Sequence, residues 1–147
     1  MNKKAATDGK AGEVSLGHVL LVEDDAVLSL SLEQELLAAG INQVTIVATA
    51  VEALATLREV KPDAVILDVH LADSSVGWEI AELLSAIGPK PPKIIFSTGA
   101  PEDIPEDVAA LGPVLEKPFD PAALIALLKE PRRRGFLARL RKPKTEA

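Results

Sequence analysis

AVILDV, residues 64–69, is the most apolar of the strand-like runs in the chain, and it ends around a single carboxylate, Asp68. A short apolar run of this kind suits a strand covered on both faces, as in the interior of a parallel sheet. Upstream, Pro62 ends a helical pattern over Ala50–Val60 in which Ala50, Leu54 and Leu57 share one side. HVLLVE (18–23) reads as a second buried strand and KIIFST (93–98) as a third. Gln43–Ala48 is rich in β-branched residues and reads as a further strand, and Pro113–Glu116 as a short last one.

The segments between them read as helices. Asp25 can cap a helix that sets Leu28, Leu32, Leu36 and Ala39 near one face, with Gly40 as its stop. Gly77–Ala86 forms another. Glu102–Leu111 is a weaker, acidic one interrupted by Pro105, and Asp120 caps the last, Pro121–Lys129, which has proline in its first turn. Five βα units in succession imply an α/β fold: a parallel sheet with helices on both faces and right-handed crossovers.

The composition bounds what such a domain does. The 147 residues are 48% hydrophobic, enough to build one core, and no apolar run approaches the length of a membrane span. The chain has no cysteine, which excludes disulfides and thiolate metal sites and fits a reducing, cytoplasmic setting. His18 and His70 are far apart in sequence and make a poor zinc pair. Residues 1–17 read as a flexible polar arm without the apolar stretch of a secretory signal, 18–130 as the folded domain and 131–147 as a basic tail. The tail holds seven Lys/Arg against one acid, although the whole chain carries −6. The body is therefore strongly acidic and no nucleic acid is expected on it.

In a doubly wound sheet, ligands bind beyond the carboxyl ends of the strands. The polar residues expected there are Glu23 and Asp24, Asp68, Thr98 and Lys117. Each has an ordinary reading: a solvated turn with a cap, a strand-end Asp, a Thr-Gly turn, a surface Lys-Pro loop. Their joint placement at the ends of four strands is what carries chemical meaning. Three carboxylates at one edge repel unless a cation lies among them, and an all-oxygen ligand set suits Mg2+. A carboxylate can also attack phosphorus to form an aspartyl phosphate, assisted by a lysine's charge and a hydroxyl's hydrogen bond.

These residues lie in four motifs: LLVEDD (20–25), AVILDVHL (64–71), IIFSTG (94–99) and LEKPF (115–119). Together they resemble the receiver domain of two-component response regulators, over about His18–Lys129. The resemblance implies a flavodoxin-like (βα)5 fold with strand order 2-1-3-4-5. It implies Asp68 as phosphoacceptor, Thr98 as the switch hydroxyl and Lys117 as the phosphoryl contact. Mg2+ would be held by Glu23, Asp24, Asp68 and the backbone carbonyl of His70. A cis bond between Lys117 and Pro118 is expected as well. The donor would be a histidine kinase or a histidine phosphotransfer protein, with self-catalysed transfer and autodephosphorylation as the only chemistry.

The chain departs from the usual pattern at Val114, where an aromatic residue is common. Together with Phe96-Ser97-Thr98-Gly99, that is similar to the stand-alone subgroup nicknamed FAT GUY, although Ala100 replaces the tyrosine often found there. This subgroup implies a kinase of the HWE or related class. His70 reads either as an exposed loop residue or as a group tuning phosphoryl lifetime, and Trp78 as packing or as a partner anchor. In the tail, Phe136, Leu137 and Leu140 alternate with basic residues. That reads either as a solubilising tail or as a contact with an acidic partner, membrane or nucleic acid.

The expected function is a single-domain switch that signals by protein contact to an unnamed downstream protein. The competing reading is a pseudo-receiver that binds partners without phosphorylation. A hydrolase on a similar sheet would want a second Asp where His70 stands, and a flavin module would want hydrogen-bond donors where Glu23 and Asp24 stand.

Overall fold

The computed structural model describes residues 17–71, 78–86 and 88–131. The arm through residue 16, the tail from 132 and the expected helix start at Gly77 lie outside the described residues. Five strands form one parallel sheet: β1 (His18–Val22), β2 (Gln43–Val47), β3 (Ala64–Asp68), β4 (Lys93–Thr98) and β5 (Val114–Glu116), in the order β2-β1-β3-β4-β5. Five helices alternate with them: α1 (Ala26–Ala38), α2 (Ala50–Glu59), α3 (Trp78–Ser85), α4 (Glu106–Ala109) and α5 (Pro121–Lys129). This is the expected order 2-1-3-4-5.

Every residue of β3 is buried because it lies at the centre of the sheet with helices on both faces. Successive side chains go to opposite cores. On one face Leu20, Val65, Leu67 and Phe96 meet Ala53 of α2, Ile80 and Leu84 of α3 and Val108 of α4. On the other, Val19, Leu21, Ile66 and Ile95 meet Leu32 and Leu36 of α1 and Leu124 and Leu128 of α5. Ala50, Leu54 and Leu57 of α2 pack against the first of these cores, on the side their spacing predicts. Among the described residues, no helix is long and apolar enough to cross a membrane.

Local chemistry sets the helix ends. Asp25 Oδ1 accepts from the backbone N–H groups of Val27 and Leu28 to start α1. Gly40 ends it at φ 105°, which glycine adopts without penalty, and the Ile41 N–H returns to the Leu36 carbonyl. Asp120 caps α5 through the Ala122 N–H, with Pro121 next to the cap. The far end of α5 is fixed by a residue with no sequence signal. The Lys93 ammonium, at the start of β4, donates to the carbonyls of Leu127, Leu128 and Glu130.

The acidic segment is broken more completely than a single interrupted helix. A 3-10 turn covers Pro101–Asp103, and α4 runs only from Glu106 to Ala109. Pro105 is the cause: its ring holds Ile104 extended (φ −84°, ψ 122°), so the turn cannot run on into the helix.

The loop from α4 to β5 passes so close to β4 that a Cβ on Gly112 would overlap the Ile94 carbonyl. Backbone, not a flexible side chain, stands in the way. Gly112→Ala is expected to cost about 2–3 kcal/mol of unfolding free energy, measured by urea denaturation. A variant as stable as the parent chain would show that the loop yields there.

Candidate functional site

Glu23 follows the last residue of β1, Asp68 and Thr98 end β3 and β4, and Lys117 follows β5. Because the strands are parallel, all four stand at one edge of the sheet, as their order predicts. Glu23 and Asp68 are buried, 3% and 4% exposed, whereas Asp24 is open to solvent. Carboxylate oxygens of Glu23, Asp24 and Asp68 all lie within 4.8 Å of one another.

The two buried carboxylates are held in the same way. Glu23 Oε2 accepts from the Asp25 backbone N–H at 3.0 Å, and Asp68 Oδ1 from the His70 backbone N–H at 3.0 Å. Their other oxygens face the Lys117 ammonium: Nζ lies 2.9 Å from Glu23 Oε1 and 3.5 Å from Asp68 Oδ2. The lysine thus lies between the two acids, closer to Glu23. The Lys117–Pro118 bond is cis.

Burial raises the pKa of Glu23 above its ordinary value; the bonds from Lys117 and the Asp25 N–H pull it down but do not prevail, and the Asp68 charge adds to the rise. Burial alone would lower the pKa of Lys117. The hydrogen bond to Glu23 and the charges of Asp68 and Glu23 more than offset this, so it is raised. The lysine stays charged, and three carboxylates still outnumber it. An all-oxygen ligand set of this size with surplus negative charge fits a hard divalent cation such as Mg2+.

Thr98 is fully buried, and its Oγ1 accepts from the Ala100 N–H at 2.9 Å. Here the hydroxyl is engaged with its own loop, not with Asp68. His70 is exposed, and its Nε2 lies 3.6 Å from Asp103 Oδ2 across the mouth of the site. Val114 is half-buried and packs against the core that holds Phe96. Asp103 and Ser97 belong to this neighbourhood, and sequence reading gave neither a place at the site. Ser97 is paired in register with Asp68 and is buried. The available signal for Ser97 was a polar residue directly after the apolar Ile94-Ile95-Phe96 of KIIFST and before Thr98.

Comparison with known proteins gives a consistent picture. The sequence profile of the response regulator receiver domain matches residues 19–129. The sensory transduction protein LytT of Bacillus anthracis is 35% identical over 116 residues, 76% of this chain and 46% of LytT. The chain spans about half the length of the curated relatives it matches. A CheY-like receiver domain from Methylobacillus flagellatus superposes with a TM-score of 0.69 at 29% identity, covering 78% of this chain and 97% of that one. The receiver domain of sensor histidine kinase PA1611 from Pseudomonas aeruginosa has a TM-score of 0.65 at 28% identity. The match covers 76% of this chain and 93% of that one, and that structure holds a magnesium ion in its active-site cleft.

The raised Glu23 pKa has a stability consequence of definite sign. The folded metal-free chain takes up this proton more readily than the unfolded one. The resulting stabilisation is full below the unfolded value of 4.5 and is lost as pH rises through the raised folded value. Glu23→Gln should remove this contribution. Urea unfolding from about pH 4 to pH 7 should give a flatter pH dependence for the variant than for the parent chain. Parallel curves would mean that Glu23 is not destabilised by its surroundings.

Proposed function

The chain belongs to the response regulator receiver family of two-component systems, and on that premise we propose that it is a phosphorylation switch with Asp68 as acceptor. The observation that carries the reading is the Lys117 ammonium lying between the buried carboxylates of Glu23 and Asp68, beside a third carboxylate. In this reading an Asp68 oxygen forms a bond to phosphorus as the bond to the donor's imidazole nitrogen or acyl oxygen breaks. Mg2+ held by Glu23, Asp24, Asp68 and the His70 carbonyl would neutralise charge on the phosphoryl oxygens.

Lys117 adds a second positive charge, mobile on a flexible stem. The His70 N–H fixes Asp68 Oδ1, which leaves the oxygen facing Lys117 as the nucleophile. The domain is taken as residues 18–130, in the cytoplasm, with 1–17 and 131–147 as appendages. The FSTG sequence at 96–99 with Val114 supports a donor kinase of the HWE or related class, or a phosphotransfer protein fed by one.

Signalling then passes by protein contact. Thr98 would give up the Ala100 N–H to bond the phosphoryl group, and the loop it now holds would move. That loop leads into Glu102, Asp103, Glu106 and Asp107, all exposed, which suit a basic downstream partner. The tail would serve as a separate contact for an acidic partner or membrane.

Two measurements test this. Intact mass after incubation with Mg2+ and a small acyl phosphate should show one phosphoryl adduct, absent without Mg2+ and absent in Asp68→Asn. No adduct from either a small donor or a histidine-phosphorylated protein would leave a phosphorylation-independent binding module. Separately, beryllofluoride with Mg2+ should shift the backbone amide resonances of residues 99–111. In Thr98→Ala those shifts should be largely lost while Asp68 still takes the ligand. Equal shifts in both proteins would remove Thr98 from the switch.

A further inference from the structure

Ser97 Oγ is the only buried side-chain polar atom without a hydrogen bond among the described residues, and Ser97 is 2% exposed. A buried hydroxyl in that state carries a penalty that an alanine would not, so its place needs a reason. Alternation along β4 supplies one. Ile94 and Phe96 enter the core beneath α2, α3 and α4, and Ile95 the core beneath α1 and α5. Ser97 follows Ile95 onto the α1/α5 face. By the same alternation Asp68 follows Ile66, and Glu23 follows Leu21, onto that face. Ser97 is the register partner of Asp68 on one side and of Leu115 on the other.

Lys117 begins beside β4, where its backbone N–H donates to the Thr98 carbonyl, and its ammonium ends at Glu23 and Asp68. Lys117 lies two residues past Leu115, the register partner of Ser97, so alternation turns its side chain to the α1/α5 face that Ser97, Asp68 and Glu23 share. To reach β3 and β1 from β5 its stem crosses the end of β4. The Thr98 hydroxyl is not the natural acceptor there, because alternation puts Thr98 with Phe96 on the opposite face of β4, where its Oγ1 accepts from the Ala100 N–H.

We propose that Ser97 is a positioning residue for Lys117: its Oγ is the acceptor that receives the ammonium when Glu23 is given over to a metal cation. This rests on the reading of the site as a Mg2+ and phosphoryl site. The ammonium, 2.9 Å from Glu23 Oε1, and an arriving cation would compete for one Glu23 carboxylate. A second acceptor, nearer the lysine's own strand, gives the ammonium a place to withdraw to. There it remains beside Asp68, where a phosphoryl oxygen would come within its reach. The hydroxyl is unbonded now because its partner is held elsewhere.

The test is a double-mutant cycle on the full chain, read by Mg2+ titration followed by amide NMR and by the rate of adduct formation with an acyl phosphate. Ser97→Ala should bind Mg2+ about tenfold more weakly and form adduct about tenfold more slowly, with an unchanged or higher Tm in the absence of metal. Ser97→Thr, which keeps the hydroxyl, should recover most of both. In a Lys117→Met background, where nothing competes for Glu23, Ser97→Ala should have no further effect on Mg2+ affinity. Equal Mg2+ affinity in the parent chain and Ser97→Ala would overturn the inference alone. So would the same loss with and without Lys117. A parent chain that binds no Mg2+ would overturn the underlying reading, and this inference with it.

Discussion

Two buried carboxylates on neighbouring strands are the constraint from which the rest of this structure follows. Glu23 and Asp68 repel each other in a place where water cannot screen them, and the Lys117 ammonium at 2.9 Å and 3.5 Å is what offsets that repulsion. The lysine comes from the far edge of the sheet, so the acids depend on β5 being in place. β5 is only three residues long and pairs only with β4. It is held by bonds at both ends, from the Phe96 N–H to the Pro113 carbonyl and from the Lys117 N–H to the Thr98 carbonyl. The loop that delivers it needs the close backbone approach at Gly112. Packing at one end of the sheet thus determines the charge balance at the other.

That balance is incomplete by design of the site: one ammonium faces three carboxylates, and the most buried arrangement leaves Glu23 with a raised pKa. A site satisfied fully by its own lysine would gain nothing from a cation. Here the lysine offsets the repulsion of the two buried acids, yet it shares its charge between them and leaves the solvent-exposed Asp24 without it. This combination suits a metal that must bind and leave, since affinity for the cation is set by the difference between two competing charges.

Much of this was legible in the sequence, for identifiable reasons. β1, β3 and β4 are covered on both faces, so their apolar runs are continuous, and the two ends of AVILDV locate Asp68 without ambiguity. Parallel order then brings Glu23, Asp68, Thr98 and Lys117 to one edge whatever the details of packing. What could not be read was which of those groups bond to which. The engagement of Lys117 with Glu23 ahead of Asp68, the turn of Thr98 toward Ala100, and the grip of Lys93 on the end of α5 depend on distances between segments remote in the chain. Continuous burial also hid Ser97, because a strand apolar on both faces gives no period from which to tell its sides apart.

The two faces of the sheet are unequal in a way that gives a signal a direction. On one, α1 and α5 are capped at their first turns by Asp25 and Asp120, and α5 is secured at its last turn by Lys93; the other has in α2 a helix capped in the same way by Thr49, but not throughout. On the other, Pro105 leaves a 3-10 turn and a four-residue helix, of which Ile104 and Val108 are the buried residues. Segments with few buried apolar contacts open at lower free-energy cost than well-packed ones. Two polar contacts run from the site to this weaker segment: the Thr98 hydroxyl to the Ala100 N–H, and the exposed His70 to Asp103. A change of charge at Asp68 would therefore bear on the element of the fold that opens at lower cost. The α5 side, pinned at both ends, has less freedom to respond than the face that carries Glu102, Asp103, Glu106 and Asp107.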